Sequence, residues 1–330
     1  MTTPYLDAFA KATDPDAPGQ AWIAPYTAPD SADTHQFVLF LKPEATAVHD
    51  GVKLDAVLEC VLKHLEDFGV SVHAARALPA AYLEANAIMD NHYGVINRIS
   101  KQGAEALTDD ARAKLETLFA EDLAAGAKVL GGHQFLAEQP EFTSLALSAL
   151  NDNVGTTKLG GGSYAMRLNL LGQIYILLNP FHAYQLVPYT TPGRAILVLE
   201  CRSTRDWGDL RGKLTGATNP AKAEPGSIRA ELLSQKDTLG LKDVNQGMNG
   251  IHLSAGPLEG MVELRRFFSD PEAGALLAWS DLAFGQALAA KGLDPEALAQ
   301  NPDLDRDGKA VSAFDLTEER NAADALGLLA

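Results

Sequence analysis

His252 stands in a short apolar stretch, Gly250-Ile251-His252-Leu253, with Asn249 three residues before it and Glu263 eleven after it. An imidazole has an unperturbed pKa of about 6.5, so near pH 7 it is neutral and nucleophilic, and it leaves readily once it has accepted a group. A carboxylate that holds its second ring nitrogen favours the charge that develops during attack. A lone histidine in an apolar strand is ordinarily structural; the spacing to Asn249 and Glu263 makes His252 a candidate nucleophile. Ser254 stands close enough in sequence to help fix that carboxylate. Cations are available in Lys42, at the end of an apolar run before Pro43, and in Arg229, just after Pro225-Gly226-Ser227-Ile228. Alone, the first would be a strand end and the second a solvated charge.

The elements that must position these groups follow from periodicity. Phe37-Val38-Leu39-Phe40-Leu41 suits a buried strand ended by Lys42-Pro43. Leu54, Val57, Leu58, Val61, Leu62, Leu65 and Phe68 recur at helical spacing up to a stop at Gly69. Val70, Val72 and Ala74 alternate as a strand would, and residues 79–93 predict another helix. The same grammar resumes far downstream: a strand over 195–199, a short helix over 206–214, a long loop over 215–249, and a short strand around His252. Ser254 is expected to cap a helix carrying Leu258, Met261, Leu264 and Phe268 along one side. Strand–helix–strand twice over is the ferredoxin-like, split βαβ layout, an α+β fold. Between the halves, Thr108 suits the start of a helix carrying Leu115, Leu118, Phe119 and Leu123. Residues 163–178 predict two strands meeting near Gly172-Gln173. The expected organisation is an extended arm over 1–34, a discontinuous core over 35–93 and 188–270, a folded α/β insertion over 94–187, and a helical tail over 271–330.

Three segments resemble nucleoside diphosphate kinases. Phe40-Leu41-Lys42-Pro43-Glu44 is similar to that family's strand ending in Lys-Pro-Asp. Thr215-Gly216-Ala217-Thr218-Asn219-Pro220, running through Pro225-Gly226-Ser227-Ile228-Arg229, is similar to its second block. Asn249-Gly250-Ile251-His252-Leu253-Ser254 followed by Glu263 is similar to its third. His92-Tyr93 falls where the family places a phosphate-contacting Tyr. The resemblance implies a divergent member with a large insertion after Tyr93. It implies a phosphotransferase that moves the γ-phosphate of a nucleoside triphosphate through a phosphohistidine at His252 to a nucleoside diphosphate. Glu263 would support the imidazole. Lys42, Tyr93, Thr218 and Arg229 would surround the phosphoryl oxygens, and Asn249 would hold the ribose. Magnesium would arrive with the nucleotide, bound mainly by phosphates and water, and the assembly would be a homo-oligomer.

The chain departs from the family pattern in places. Gly212 stands where an Arg is expected six residues before Thr218, with Arg211 and Lys213 on either side, and either of these could swing in as the phosphate clamp. Glu44-Ala45 replaces Asp-Gly, and Leu253 and Ala255 flank Ser254 where the family has Gly and Asp. Two alternatives accompany the main reading. One keeps the donor chemistry and gives a specialised small-molecule acceptor to the insertion; the other is a catalytically silent nucleotide-binding module.

Bulk composition fits a globular protein: 330 residues, 46% hydrophobic, 21% charged. A net charge of −16 argues against nucleic-acid binding, which draws on clustered Lys and Arg. No stretch approaches the roughly 20 apolar residues of a membrane span, and residues 1–14 show no secretory pattern. A soluble cytoplasmic protein without a membrane partner is expected, with Cys60 and Cys201 as buried thiols. Three weaker patterns fall short of a motif. Gly160-Gly161-Gly162-Ser163 precedes a strand where a dinucleotide motif needs a helix. Gly208 to Leu214 is one residue short of a phosphate loop, and Asp303, Asp305, Asp307 and Gly308 lack the closing Glu of a calcium loop. His133 and His182 are expected to be structural, and no metal site of the protein's own is expected.

Overall fold

A computed structural model describes residues 2–30, 34–306 and 308–330. The chain divides into two compact units, Met1–Asn86 with Thr191–Ala330, and Ala87–Thr190. The strands in chain order are β1 (Ala21–Ala24), β2 (His35–Leu41), β3 (Ser71–Pro79), β4 (Lys128–Gly131), β5 (Thr157–Gly160), β6 (Ser163–Leu170), β7 (Gln173–Leu178), β8 (Ala195–Ser203), β9 (Ile251–Leu253), β10 (Asp303–Arg306) and β11 (Lys309–Ser312).

The first unit is built on one sheet, ordered β1-β3-β8-β2-β9, in which every neighbouring pair is antiparallel. The helix Leu54–Asp67 joins β2 to β3, and β8 sits between them; helices also join β8 to β9, with β2 between. This interleaving is the ferredoxin-like arrangement, with β1 added beside β3. Side chains alternate across the sheet as the period of two requires. Leu39 and Leu41, Ala75 and Ala77, Leu197 and Leu199, and Ile251 and Leu253 face one way, into a core shared with Val57, Leu58, Val61 and Leu65 of the first helix. Trp207, Leu210, Leu214, Ile228 and Leu232 complete that core. Phe40 faces the other way, toward the helix Pro257–Phe268, its ring centroid 5.4 Å from that of Phe267.

Three expectations are revised. Residues 2–24 form more than an extended arm: the helix Thr3–Ala12 buries Ala8, Phe9 and Ala12 in the main core, and β1 pairs with β3. The predicted loop over 215–249 contains the helices Ile228–Ser234 and Lys236–Leu239, the first capped by Ser227. Ser254 does not cap the helix that follows it; Gly256 occupies that position, because the Ser254 hydroxyl is engaged inside the site described below. Beyond the helix Pro257–Phe268, residues 271–330 carry the helices Ala283–Ala290, Pro295–Ala299, Ala313–Thr317 and Ala322–Leu329 and the β10–β11 hairpin. Asp307 of the calcium-like pattern lies outside the described residues. No helix among the described residues is long and apolar enough to cross a membrane.

The second unit has its own sheet, ordered β4-β7-β6-β5, with β4 and β7 parallel and the other pairs antiparallel. Met166, Leu168, Tyr175 and Leu177 pack with Phe135 and Leu147 on one face. On the other, Ala165, Ile176 and Leu178 pack with Ile99, Leu107, Ala111, Leu115 and Leu159. The glycines 160–162 link β5 to β6, so no helix follows them. His182 is buried between Gln185 Oε1 at 3.0 Å and Asn97 Oδ1 at 3.3 Å, and burial brings its pKa down to about 4. His133 Nδ1 lies 2.9 Å from Ser100 Oγ.

Candidate active site

Three residues of chain on the open edge of the first sheet carry His252. In the β2–β9 register Phe40 opposes His252, so the imidazole emerges on the face of Phe40 and stacks on it, centroids 4.7 Å apart with 23° between planes. The turn into β9 is set by Gly250, whose φ of +78° is left-handed and where a Cβ would meet Leu232 Cδ1 at 2.5 Å. Glycine alone meets both conditions without strain. Gly250 O accepts from Lys42 N at 2.9 Å and Gly250 N donates to Glu44 Oε1 at 3.1 Å, which ties the turn to the end of β2.

Glu263 is fully buried on the helix Pro257–Phe268 and sits 2.8 Å from His252 Nε2 through Oε1. Its other oxygen accepts the Ser254 hydroxyl at 2.5 Å, while Ser254 Oγ accepts from Val38 N at 3.0 Å. An ionised carboxylate only accepts, so in the neutral imidazole Nε2 would donate to it and Nδ1 would keep the lone pair. The His252 side chain is 19% exposed while Glu263 is 0% exposed, which leaves the ring reachable and its support dry. In such surroundings a charge-assisted hydrogen bond is stronger than in water. One helical turn earlier, Glu259 is pushed up to about 8, first by burial and then by the charge of Glu263.

Three cations gather along the backbone on either side of His252. Carbonyls 251 and 253 point away from β2, and each accepts a guanidinium: Arg229 Nη2 reaches Ile251 O at 3.1 Å, and Arg211 Nη1 reaches Leu253 O at 2.8 Å. Arg229 also donates to Gly216 O at 2.8 Å, and burial, followed by the charge of Arg211, brings its pKa down to about 10. Lys42 Nζ donates to Asn249 Oδ1 at 2.8 Å, and burial lowers its ammonium below the usual range. Asn249 Nδ2 in turn donates to Thr218 O at 3.1 Å and Gln246 O at 3.3 Å. The Thr218 side chain is exposed. Of the two cations flanking Gly212, Arg211 is the one directed at β9; Lys213 is exposed and paired with Asp209 at 2.8 Å.

Seven of the eight residues singled out from the sequence, all but Tyr93, thus lie in the first unit. Tyr93 belongs to the second, its hydroxyl 3.3 Å from that of Tyr189 and its ring edge-on to His92 and His182. Phe40, Glu44 and Glu259 were not assigned roles from sequence. Phe40 and Glu44 flank Lys42 in the first motif, and Glu259 carried a spacing signal, four residues before Glu263.

A dry carboxylate that fixes one imidazole nitrogen as donor, beside several cations, is an arrangement for nucleophilic attack on an anionic electrophile. The chain is similar to nucleoside diphosphate kinases. One such enzyme, from Herpetosiphon aurantiacus, is 38% identical over 94 residues, spanning 28% of this chain and 54% of the relative. Another, from Prochlorococcus marinus, is 43% identical over 68 residues, spanning 21% of this chain and 36% of the relative. The chain thus matches about half the length of the first and about a third of the second. No protein-family profile matches the chain. Among solved structures, an NDP kinase from Pyrobaculum aerophilum overlaps 74% of this chain and all of its own at 18% identity, with a TM-score of 0.33. A nucleoside diphosphate kinase from Borrelia burgdorferi with bound vanadate and ADP overlaps 75% of this chain and 93% of its own at 14% identity, with a TM-score of 0.34. Both scores are too low to bear on the fold.

Proposed function

We propose that this chain is a phosphotransferase that takes the γ-phosphoryl group of a nucleoside triphosphate onto His252 and passes it to a nucleoside diphosphate. The observation that supports the reading is the His252–Glu263–Ser254 hydrogen-bond relay, which in the neutral imidazole would leave Nδ1 to attack. In the first half-reaction the Nδ1 lone pair forms the N–P bond as the bond between Pγ and the bridging oxygen breaks, and the nucleoside diphosphate leaves. In the second, an oxygen of the acceptor diphosphate attacks the same phosphorus and imidazole leaves. The ring carries positive charge while phosphorylated, which the buried Glu263 offsets. Lys42, Arg211 and Arg229 supply positive charge for the phosphoryl oxygens. Asn249, whose amide is held by Lys42 and the carbonyls of Thr218 and Gln246, is assigned to a ribose hydroxyl by resemblance.

Magnesium fits this reading as the counter-ion of the nucleotide. Both oxygens of Glu263 are engaged by His252 and Ser254, so the ion is left to phosphate oxygens and water, where it neutralises developing charge.

The test is incubation of the pure protein with ATP labelled in the γ-phosphate. The reading expects acid-labile, base-stable label on wild type and none on His252→Ala, with the variant's circular dichroism unchanged. Undiminished labelling of His252→Ala would remove His252 from the mechanism.

A further inference from the structure

Arg211 does not stand alone beside β9. The segment between the helices Ala313–Thr317 and Ala322–Leu329 runs past it, and two successive carboxylates point at its guanidinium: Glu319 Oε1 lies 3.7 Å from Nε and Glu318 Oε1 4.0 Å from Nη2. These are ion-pair separations, longer than hydrogen bonds. Arg211 Nε is accordingly buried with no hydrogen-bond acceptor among the described residues.

The backbone of this segment is fastened on both sides. Glu319 N donates to Ala255 O at 2.8 Å, and Gly256 meets the Thr317 carbonyl so closely that a Cβ would not fit. Asn321 accepts from Trp207 N at 2.9 Å and donates to Asp206 at 2.8 Å. Glu319 itself has a left-handed φ of +56°, a conformation unfavourable for a residue with a side chain. The backbone is thus anchored by hydrogen bonds, and two half-exposed carboxylates stand beside the cation.

We infer that Glu318 and Glu319 form an anionic strap that occupies Arg211 in place of phosphate, so that nucleotide binding there is an exchange of one anion for another. The inference rests on the phosphotransfer reading. A carboxylate and a phosphate oxygen compete for the same N–H groups, and phosphate engages Arg211 only as the two side chains swing outward. The exchange sets a threshold: it costs little for a densely charged polyphosphate and more for a monoanion, so the strap discriminates among ligands by charge.

The experiment is calorimetric titration with magnesium-ADP of wild type, Glu318→Gln/Glu319→Gln, Arg211→Ala and the triple variant, at low and moderate salt. The double variant is expected to bind roughly two- to fivefold tighter for each carboxylate removed, with unchanged thermal stability, and the gain should vanish when Arg211 is also replaced. Equal binding by wild type and double variant, with Arg211→Ala weaker than both, would overturn the strap and leave the phosphotransfer reading intact. A gain that persists without Arg211 would overturn it as well, since the carboxylates would then act only through overall charge. Absence of ADP binding and of label on His252 in every form would defeat the phosphotransfer reading, and the strap with it.

Discussion

Glu263 divides its two oxygens between His252 and Ser254, so its replacements separate charge from geometry. Glu263→Gln keeps the size and removes the charge; single-turnover labelling of His252 should slow by roughly 10²-fold, whereas Ser254→Ala should slow it less. Equal rates for Glu263→Gln and wild type would make the carboxylate a bystander. Glu259 has a consequence for stability. Its carboxyl keeps a proton up to about pH 8 in the folded protein, against an ordinary value of 4.5. Between those limits the folded state binds more protons than the unfolded state, so stability falls as pH rises through the window and is fullest below it. Glu259→Gln should remove that slope, and the gap between the melting temperatures of variant and wild type should widen from pH 5 to pH 8. A constant gap would show that Glu259 ionises normally. The His–Glu–Ser relay was legible in the sequence because a short strand followed directly by a helix leaves little freedom in where position eleven falls. The Ser254 cap was misread because its hydroxyl satisfies a buried carboxylate, a partner that local pattern does not reveal.

β9 is only three residues long, and side chains substitute for the neighbour that an edge strand lacks. Arg229→Ala removes donors from Gly216 O and Ile251 O, and should destabilise the first unit by about 2–4 kcal/mol as measured by urea unfolding. A loss of activity with unchanged stability would instead assign Arg229 to substrate alone. Gly250→Ala combines a left-handed backbone with a collision against Leu232, and should cost about 1–3 kcal/mol while displacing His252. The register of the cation before β9 was not legible by counting. The segment Leu210–Thr215 is a π-helical turn, with Gly216 N donating to Arg211 O at 3.0 Å five positions back. The wide turn takes up one extra residue, and it is Arg211 that meets Leu253 O rather than the residue at the expected count. Arg211→Ala should therefore cost the transfer step about 2–4 kcal/mol, and Lys213→Ala little, in kcat/KM for nucleotide exchange. Equal small effects would mean that neither serves the phosphates.

At the scale of the molecule, the second unit leaves and re-enters the first at one end of a strand pair. β3 and β8 are antiparallel neighbours with Pro79 opposite Ala195, and Ala80 N donates to Arg194 O at 2.9 Å. A short Gly/Ser link in place of residues 87–190 would connect the helix Ala80–Ala85 back to β8, at a small entropic cost. The trimmed protein should unfold cooperatively and still take label on His252. A molten trimmed protein would show that the first unit does not fold alone. The strand–helix grammar of the first sheet, interrupted and then resumed, was legible in the sequence. The part played by residues 2–24 was not, because a ten-residue helix that buries little beyond Ala8, Phe9 and Ala12 leaves a faint pattern. The strand order also bears on synthesis. β8 is the central strand and pairs with both β2 and β3, yet the ribosome makes it after the whole of the second unit. Until it emerges, Phe37-Val38-Leu39-Phe40-Leu41 has no strand to pair with, while the segment made in between can already bury its own core. The nascent chain therefore carries a bare, fully apolar strand through much of translation, which is where aggregation and chaperone capture concentrate.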